Sequence, residues 1–411
     1  MSGTRLKVRL RAATPAFHVT AAPRVTQSLN DCSVSGTKKI LVVSVSAGSG
    51  HVRAAEALCA HAQQHYPDMS LRHRDLMQRV PAWFRKIYTD LYLTLASGLP
   101  EAWGWLYRKT DREPTNSLSG RLRRLIQRVC TRALFIEIAA FAPDAIICTH
   151  FLPAELLSDA VHRGRLQCPV WVVVTDFDLH QMWLHQGVTG YFVANEELAY
   201  RLLAAGIDES RIVVTGIPVM PGFSQPTRRE HCSAMRGLDP NRTTLLLMGG
   251  GAGIGMNKKL IASLLAIDPL TQLIVMTGRN QTLFDELVSL SCFCDGRLVP
   301  VGYTDQVPEL MACADLVITK PGGLSTSECL VMGLPMLLIN PIPGQEERNA
   351  TLLLQEGVAQ RADDEATLIY RLRRLLSDPE ALREMRSKTS LLAQPHAAHR
   401  VLQHVQKSMS R

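Results

Sequence analysis

The 411-residue chain has no uninterrupted apolar run near the roughly 20 residues that a membrane-spanning helix requires. Membrane contact is therefore expected to be peripheral. Its ten cysteines are scattered, and the closest pair, Cys292 and Cys294, has no partner set of the kind a zinc site needs, so reduced cytosolic thiols are the expectation. Acids are the scarcer charge: 37 Asp and Glu against 45 Lys and Arg leave a formal charge of +8. That balance favours a negatively charged partner, either nucleic acid or an anionic membrane surface. No recognised nucleic-acid-binding motif is present, so nucleic acid is not expected. Complete GxGxxG and P-loop patterns are also missing, which leaves phosphate recognition to less regular glycine loops.

What is present points to a globular α/β protein. A hydrophobic fraction of 46% with 20% charged residues suits a soluble fold, and the length exceeds one ordinary core, so two domains are expected. Residues 1–38 carry five Lys or Arg before the first acid, Asp31, and little apolar periodicity; they read as a disordered basic tail, with a transit peptide as the other reading. Order begins at Lys39 to Ser46, a buried-type strand that runs into Ala47-Gly48-Ser49-Gly50-His51 and the helical pattern Arg53 to His65. Strand, glycine turn and helix open a doubly wound domain. The turn could equally be a tight connection needing glycine's freedom. His51, at the start of this helix, faces the cleft edge and titrates near neutrality, which makes it a candidate base.

Between residues 79 and 132 eleven basic residues face four acids, a surplus that nearly equals the whole net charge. Trp83, Phe84, Arg85, Lys86, Trp103, Trp105, Arg123 and Arg124 combine aromatic rings with cations, as a segment lying at the lipid headgroup level would. A helical insertion with a solvated basic face fits the same pattern. Further strands are expected at Ala145 to Cys148 and Val170 to Thr175, the latter leading into Asp176-Phe177-Asp178. That D-x-D could bind a metal-bridged diphosphate or simply form a polar cleft wall. Turn residues from Gly216 to Pro226 mark the domain boundary.

The second half repeats the plan. A strand at Thr244 to Met248 enters Gly249 to Gly255, five glycines in seven residues, which lets backbone approach a diphosphate closely. The stretch Leu316 to Ala350 contains a strand, the turn Lys320-Pro321-Gly322-Gly323, and a helix start crowded with Ser325, Thr326, Ser327 and Glu328. Such a helix start offers backbone N–H groups to an anion. A second apolar run, Met336 to Asn340, breaks at Pro341 and leaves Gln345, Glu346 and Asn349 just past a strand end, where open α/β sheets bind ligands. A terminal helical region occupies residues 381–411.

Six ordered segments carry a resemblance: SAGSGH at Ser46 to His51, TDFDLHQMWLH at Thr175 to His185, TGIPV at Thr215 to Val219, GGGAGIG at Gly249 to Gly255, ITKPGGLSTSE at Ile318 to Glu328, and PIPGQEERNA at Pro341 to Ala350. Together they resemble the monogalactosyldiacylglycerol synthase and processive diacylglycerol glucosyltransferase group of glycosyltransferase family 28. The resemblance implies a GT-B architecture, two Rossmann-like domains facing across a cleft: an acceptor- and membrane-facing domain over residues 39–218 and a UDP-sugar domain over 219–380. It implies inverting transfer of galactose or glucose from a UDP-sugar to diacylglycerol, without an essential bound metal, by a peripheral protein on the cytoplasmic side of the membrane. By position, Glu328 would hold the ribose hydroxyls, and Gly250, Gly251, Gly322, Gly323, Ser325 and Thr326 would surround the diphosphate. Gln345 and Glu346 would bind sugar hydroxyls, Asn349 would belong to the donor-binding set, and His51 would serve as, or support, the base, with Asp176 its competitor. Two other readings stay open: an N-acetylglucosaminyltransferase acting on another lipid-linked acceptor, and a non-catalytic module that binds anionic membranes.

Overall fold

Apolar runs bracketed by glycine and proline turns become the strands of two separate parallel sheets. The computed structural model describes residues 37–46, 48–83, 85–86, 118–225, 227–249 and 256–409, with residues 118–128 as backbone alone. In the first sheet, β1 (Lys38–Ser44), β2 (Met69–Asp75), β3 (Ala145–Cys148), β4 (Val170–Val173), β5 (Gly190–Val193) and β6 (Ile212–Val214) hydrogen-bond in the order β2-β1-β3-β4-β5-β6. The second contains β7 (Thr244–Met248), β8 (Gln272–Gly278), β9 (Leu298–Gly302), β10 (Leu316–Thr319), β11 (Met336–Ile339) and β12 (Ala359–Ala362), ordered β12-β11-β10-β7-β8-β9. Every pairing is parallel. Strands β3, β4, β10 and β11 are buried at each residue, which is why they read as unbroken apolar runs: helices cover both faces of a parallel sheet.

Two strands are not anticipated by apolar patterning, β2 (MSLRHRD) and β12 (AQRA). Both are sheet edges, where one side is unpaired and polar side chains are tolerated.

Each strand order reverses beside its first strand. The chain goes from β1 outward to β2 and returns on the other side as β3; from β7 it goes outward through β8 and β9 and returns as β10. Ligands bind at such reversals, beyond the carboxyl ends of the strands. The helices that matter for this edge are α1 (Gly50–His65), α2 (Leu118–Phe141), α3 (Gly323–Val331), α4 (Gln345–Gln355) and α5 (Ala397–Met409). α1 follows β1, α3 follows β10 and α4 follows β11, so all three begin at carboxyl ends of the two sheets. No helix among the described residues is long and apolar enough to cross a membrane.

The C-terminal helix does not stay with the second sheet. Ala398, Val401, Leu402 and Val405 of α5 are buried in one core with Ile40, Val42, Leu58, Trp171 and Phe192 of the first domain. The terminal region is thus part of the first domain's core. Where the chain leaves β6, Gly216 has φ +88°, and a Cβ there would lie 2.3 Å from Cβ of Gln394. Only glycine lets the outgoing linker pass the returning chain.

Candidate active site

His51 is held at the reversal between β1 and β3. Its Nδ1 lies 3.0 Å from the Thr149 carbonyl and 2.7 Å from Thr175 Oγ1, and the Thr149 hydroxyl donates to the His51 carbonyl at 2.8 Å. A carbonyl can only accept, so Nδ1 carries the proton and Nε2 keeps its lone pair. Burial lowers the His51 pKa to about 4, with the Thr149 carbonyl pulling the other way. The ring is therefore neutral at physiological pH and poised to accept a proton at Nε2. His150 packs edge-on against it at 4.6 Å. That neighbour is itself neutral: buried, it accepts from the Leu152 N–H through Nδ1, and burial holds its pKa well below the usual value.

Asp176 lies just past β4 and is buried. Its Oδ2 accepts from the Trp183 indole at 3.3 Å, and its Oδ1 accepts from the Gln345 amide, which reaches over from the start of α4. Burial raises its pKa to about 6, partly offset by those two donors. Gln345 is the first of several ties between the domains. Asn349 accepts from the Phe177 N–H at 3.0 Å and donates to the Pro321 carbonyl at 3.1 Å. Arg348 donates to Asp178 at 2.8 Å, and Arg201 holds the other oxygen of Asp178 at 2.7 Å.

These contacts give two residues structural partners. Asn349, expected in the donor-binding set, is fully buried; its oxygen ties it to Phe177 of the first domain, and its amide to Pro321 within its own domain. Asp178, the second carboxylate of the D-x-D, is neutralised by two guanidinium groups and acts as an interdomain ion-pair centre.

The start of α3 has no side-chain cap, so its first N–H groups remain available at the positive end of the helix. Gly322 occupies the cap position, and a Cβ there would lie 3.7 Å from Glu346 Oε1. Gly323 also sits at a close approach between the domains. A Cβ at this position would sit 2.1 Å from the Thr175 carbonyl oxygen, so the missing side chain is what lets α3 meet the first domain. Ser325 is half-buried, whereas Thr326 is fully buried with no partner for its hydroxyl among the described residues. Neighbouring helix positions point about 100° apart, so the pair does not present both hydroxyls to one ligand, and Thr326 faces the interior.

Glu328, one turn further on, is buried, and burial raises its pKa to about 8 against the pull of Arg53. Glu346 accepts from the Ile342 N–H at 2.7 Å; burial raises its pKa while Lys320 opposes.

Gly250, Gly251, Phe84, Trp103 and Trp105 lie outside the described residues, as do the side chains of Arg123 and Arg124. Trp83 is 55% exposed, and Arg85 and Lys86 are exposed. Sequence reasoning gave no roles to Thr149, Thr175, Trp183, Arg348 or Arg53. Thr175 and Trp183 lie inside the segment that carries the resemblance, and that position was the available signal.

Residues 51–219 match the monogalactosyldiacylglycerol (MGDG) synthase family, and residues 244–401 match the glycosyltransferase family 28 C-terminal domain. A processive diacylglycerol beta-glucosyltransferase of Bacillus pumilus is 28% identical over 90% of this chain and 94% of its own length. The protein of the same name from Bacillus subtilis is 27% identical over 90% and 95%. Among solved structures, MurG of Acinetobacter baumannii superposes with a TM-score of 0.60 at 16% identity, covering 90% of this chain and 99% of that one. HepE of Anabaena, in complex with UDP-glucose, gives 0.52 at 14% identity, over 90% and 99%. The fold is thus GT-B, and with both halves matched in order, the chain belongs to the monogalactosyldiacylglycerol synthase and processive diacylglycerol glucosyltransferase group of glycosyltransferase family 28.

Proposed function

We propose that this protein transfers a hexose from a UDP-sugar to the free hydroxyl of diacylglycerol with inversion, giving a β-glycosyl-diacylglycerol. It does so as a peripheral protein on the cytoplasmic side of an anionic membrane. The observation that carries the reading is the meeting, across one cleft, of a neutral His51 with a free Nε2, the buried Asp176 held by Gln345, and the uncapped start of α3. The relatives are named for a glucosyl transfer to diacylglycerol, so UDP-glucose is the first donor to test.

In the reaction the acceptor oxygen forms a bond to C1 of the sugar as the bond from C1 to the UDP oxygen breaks. The acceptor proton passes to His51 Nε2, and the bonding electrons leave on the diphosphate. Imidazolium formation at His51 is supported by the Thr149 carbonyl, which already holds Nδ1–H. The growing diphosphate charge is met by the N–H groups at the start of α3, and transfer needs no resident metal. Glu328 receives the ribose hydroxyls, and Gln345 and Glu346 lie around the sugar.

The test is direct. Purified protein is incubated with diacylglycerol and UDP-glucose, UDP-galactose or UDP-N-acetylglucosamine, and the lipid product is identified by mass spectrometry and its anomeric configuration by NMR. A β-hexosyl-diacylglycerol is expected. Absence of glycolipid from either UDP-hexose refutes the reading, and a product from UDP-N-acetylglucosamine alone redirects it to another donor.

A further inference from the structure

We propose that Thr175 is a positioning residue for His51, holding the imidazole with its side chain while the second domain presses on its backbone, so that cleft closure and placement of the base are one event. The inference deepens the transferase reading given above and rests on His51 as the base.

Thr175 lies just past β4 and is buried. Its Oγ1 is 2.7 Å from His51 Nδ1, closer than the Thr149 carbonyl at 3.0 Å. Because that carbonyl places the proton on Nδ1, the Thr175 hydroxyl oxygen accepts from the same N–H. One N–H shared between two oxygens on different strand ends fixes the rotation of the ring as well as its tautomer. The second acceptor gains weight during the reaction: once the ring is imidazolium its N–H groups carry charge, and hydrogen bonds from a charged donor are shorter and stronger.

The backbone of the same residue meets the second domain. A Cβ on Gly323, at the start of α3, would lie 2.1 Å from the Thr175 carbonyl oxygen. The next three residues are gripped in turn: Asp176 by Gln345, the Phe177 N–H by Asn349 at 3.0 Å, and Asp178 by Arg348 at 2.8 Å. Thr175 to Asp178 is therefore a continuous strip of the first domain held by the second, and its first residue touches the base. A buried threonine at a strand end needs only some partner for its hydroxyl. Here the hydroxyl is spent on an Nδ1 that already has a carbonyl acceptor, within a stretch that the other domain clasps. Opening the cleft frees the strip, and the ring is then held less firmly.

The test compares Thr175→Val, Thr175→Ser, His51→Gln and Gly323→Ala with the double variants Thr175→Val/His51→Gln and Thr175→Val/Gly323→Ala. Glycolipid synthesis gives kcat, calorimetry gives UDP affinity, and NMR of labelled protein follows the His51 Nδ1–H resonance. Thr175→Val is expected to lower kcat about 10- to 100-fold, the loss of one hydrogen bond to a charged group, and to move the resonance upfield with UDP affinity unchanged. Thr175→Ser should restore most of kcat. Thr175→Val should add nothing once His51 is Gln, and its loss should combine less than multiplicatively with that of Gly323→Ala. Wild-type kcat with an unmoved resonance in Thr175→Val would overturn the inference, as would a Thr175→Ser variant as impaired as Thr175→Val. Fully multiplicative losses in Thr175→Val/Gly323→Ala would refute the link to closure. Wild-type turnover in His51→Gln would instead sink the base assignment, and absence of glycolipid from the wild type would sink the transferase reading itself.

Discussion

Replacing Gly323 by Ala should uncouple the two domains without damaging either. The added methyl would sit 2.1 Å from the Thr175 carbonyl oxygen, 3.1 Å from its carbon and 3.4 Å from the Asp176 Cα. All three atoms are backbone just past β4, so no side-chain rotation relieves the clash. Overpacking of this kind costs about 1–3 kcal/mol. Here the contact is between domains, so the strain is released by opening the cleft, and the closed population falls by about 5- to 150-fold. The alanine retains the backbone N–H at the start of α3, so the variant separates close approach from amide donation. The expected outcome is a fall in kcat/KM for glycolipid formation within that range, a larger radius of gyration in small-angle scattering, and an almost unchanged Tm. Wild-type turnover with wild-type scattering would show that the closed contact at Gly323 has no part in catalysis.

Three further outcomes follow from the site. With His51 as base, activity requires its neutral form, so kcat should hold as pH falls and bend only near pH 4; a bend near pH 6 would point to Asp176 instead. His51→Gln should lower kcat by about 10²- to 10⁴-fold, with UDP affinity little changed. Glu328 keeps its proton to about pH 8 when folded but ionises near its model-peptide value of about 4.3 when unfolded, so its contribution to stability is lost as pH rises through that interval. Glu328→Gln is therefore expected to raise Tm at pH 7.5 by about 2 °C or more while weakening UDP binding; a lower Tm would contradict the burial argument. Asp178→Asn removes the charge shared by Arg201 and Arg348 and should weaken closure by about 1 kcal/mol, seen as a higher KM for the donor with little change in Tm.

Much of the fold is legible in the chain because burial writes itself into parallel strands. AIIC, VWVV, LVIT and MLLI are apolar throughout because helices cover both faces, and LVIT and MLLI run into glycine- and proline-rich turns. The edge strands MSLRHRD and AQRA carry no such mark, since an edge tolerates polar side chains. The site is legible where a residue's role is local. The uncapped start of α3 and the position of His51 at a strand-to-helix turn both depend on neighbours within a few residues.

What the sequence by itself determined is the pair of doubly wound domains, the glycine-marked strand ends and the residues gathered there. Tertiary structure alone decided how those residues are used, because the partners are far apart in the chain. The carbonyl of Thr149 fixes the tautomer of His51, a contact spanning 98 positions. Gln345 reaches Asp176 across 169. Asp178 becomes the centre of an ion pair because Arg348 and Arg201 arrive from different domains, and α5 completes the core of the first sheet rather than the second. Gly323 makes the difference plain: in the sequence its missing side chain exposes an amide to an anion, and in the folded chain the same absence lets one domain close on the other.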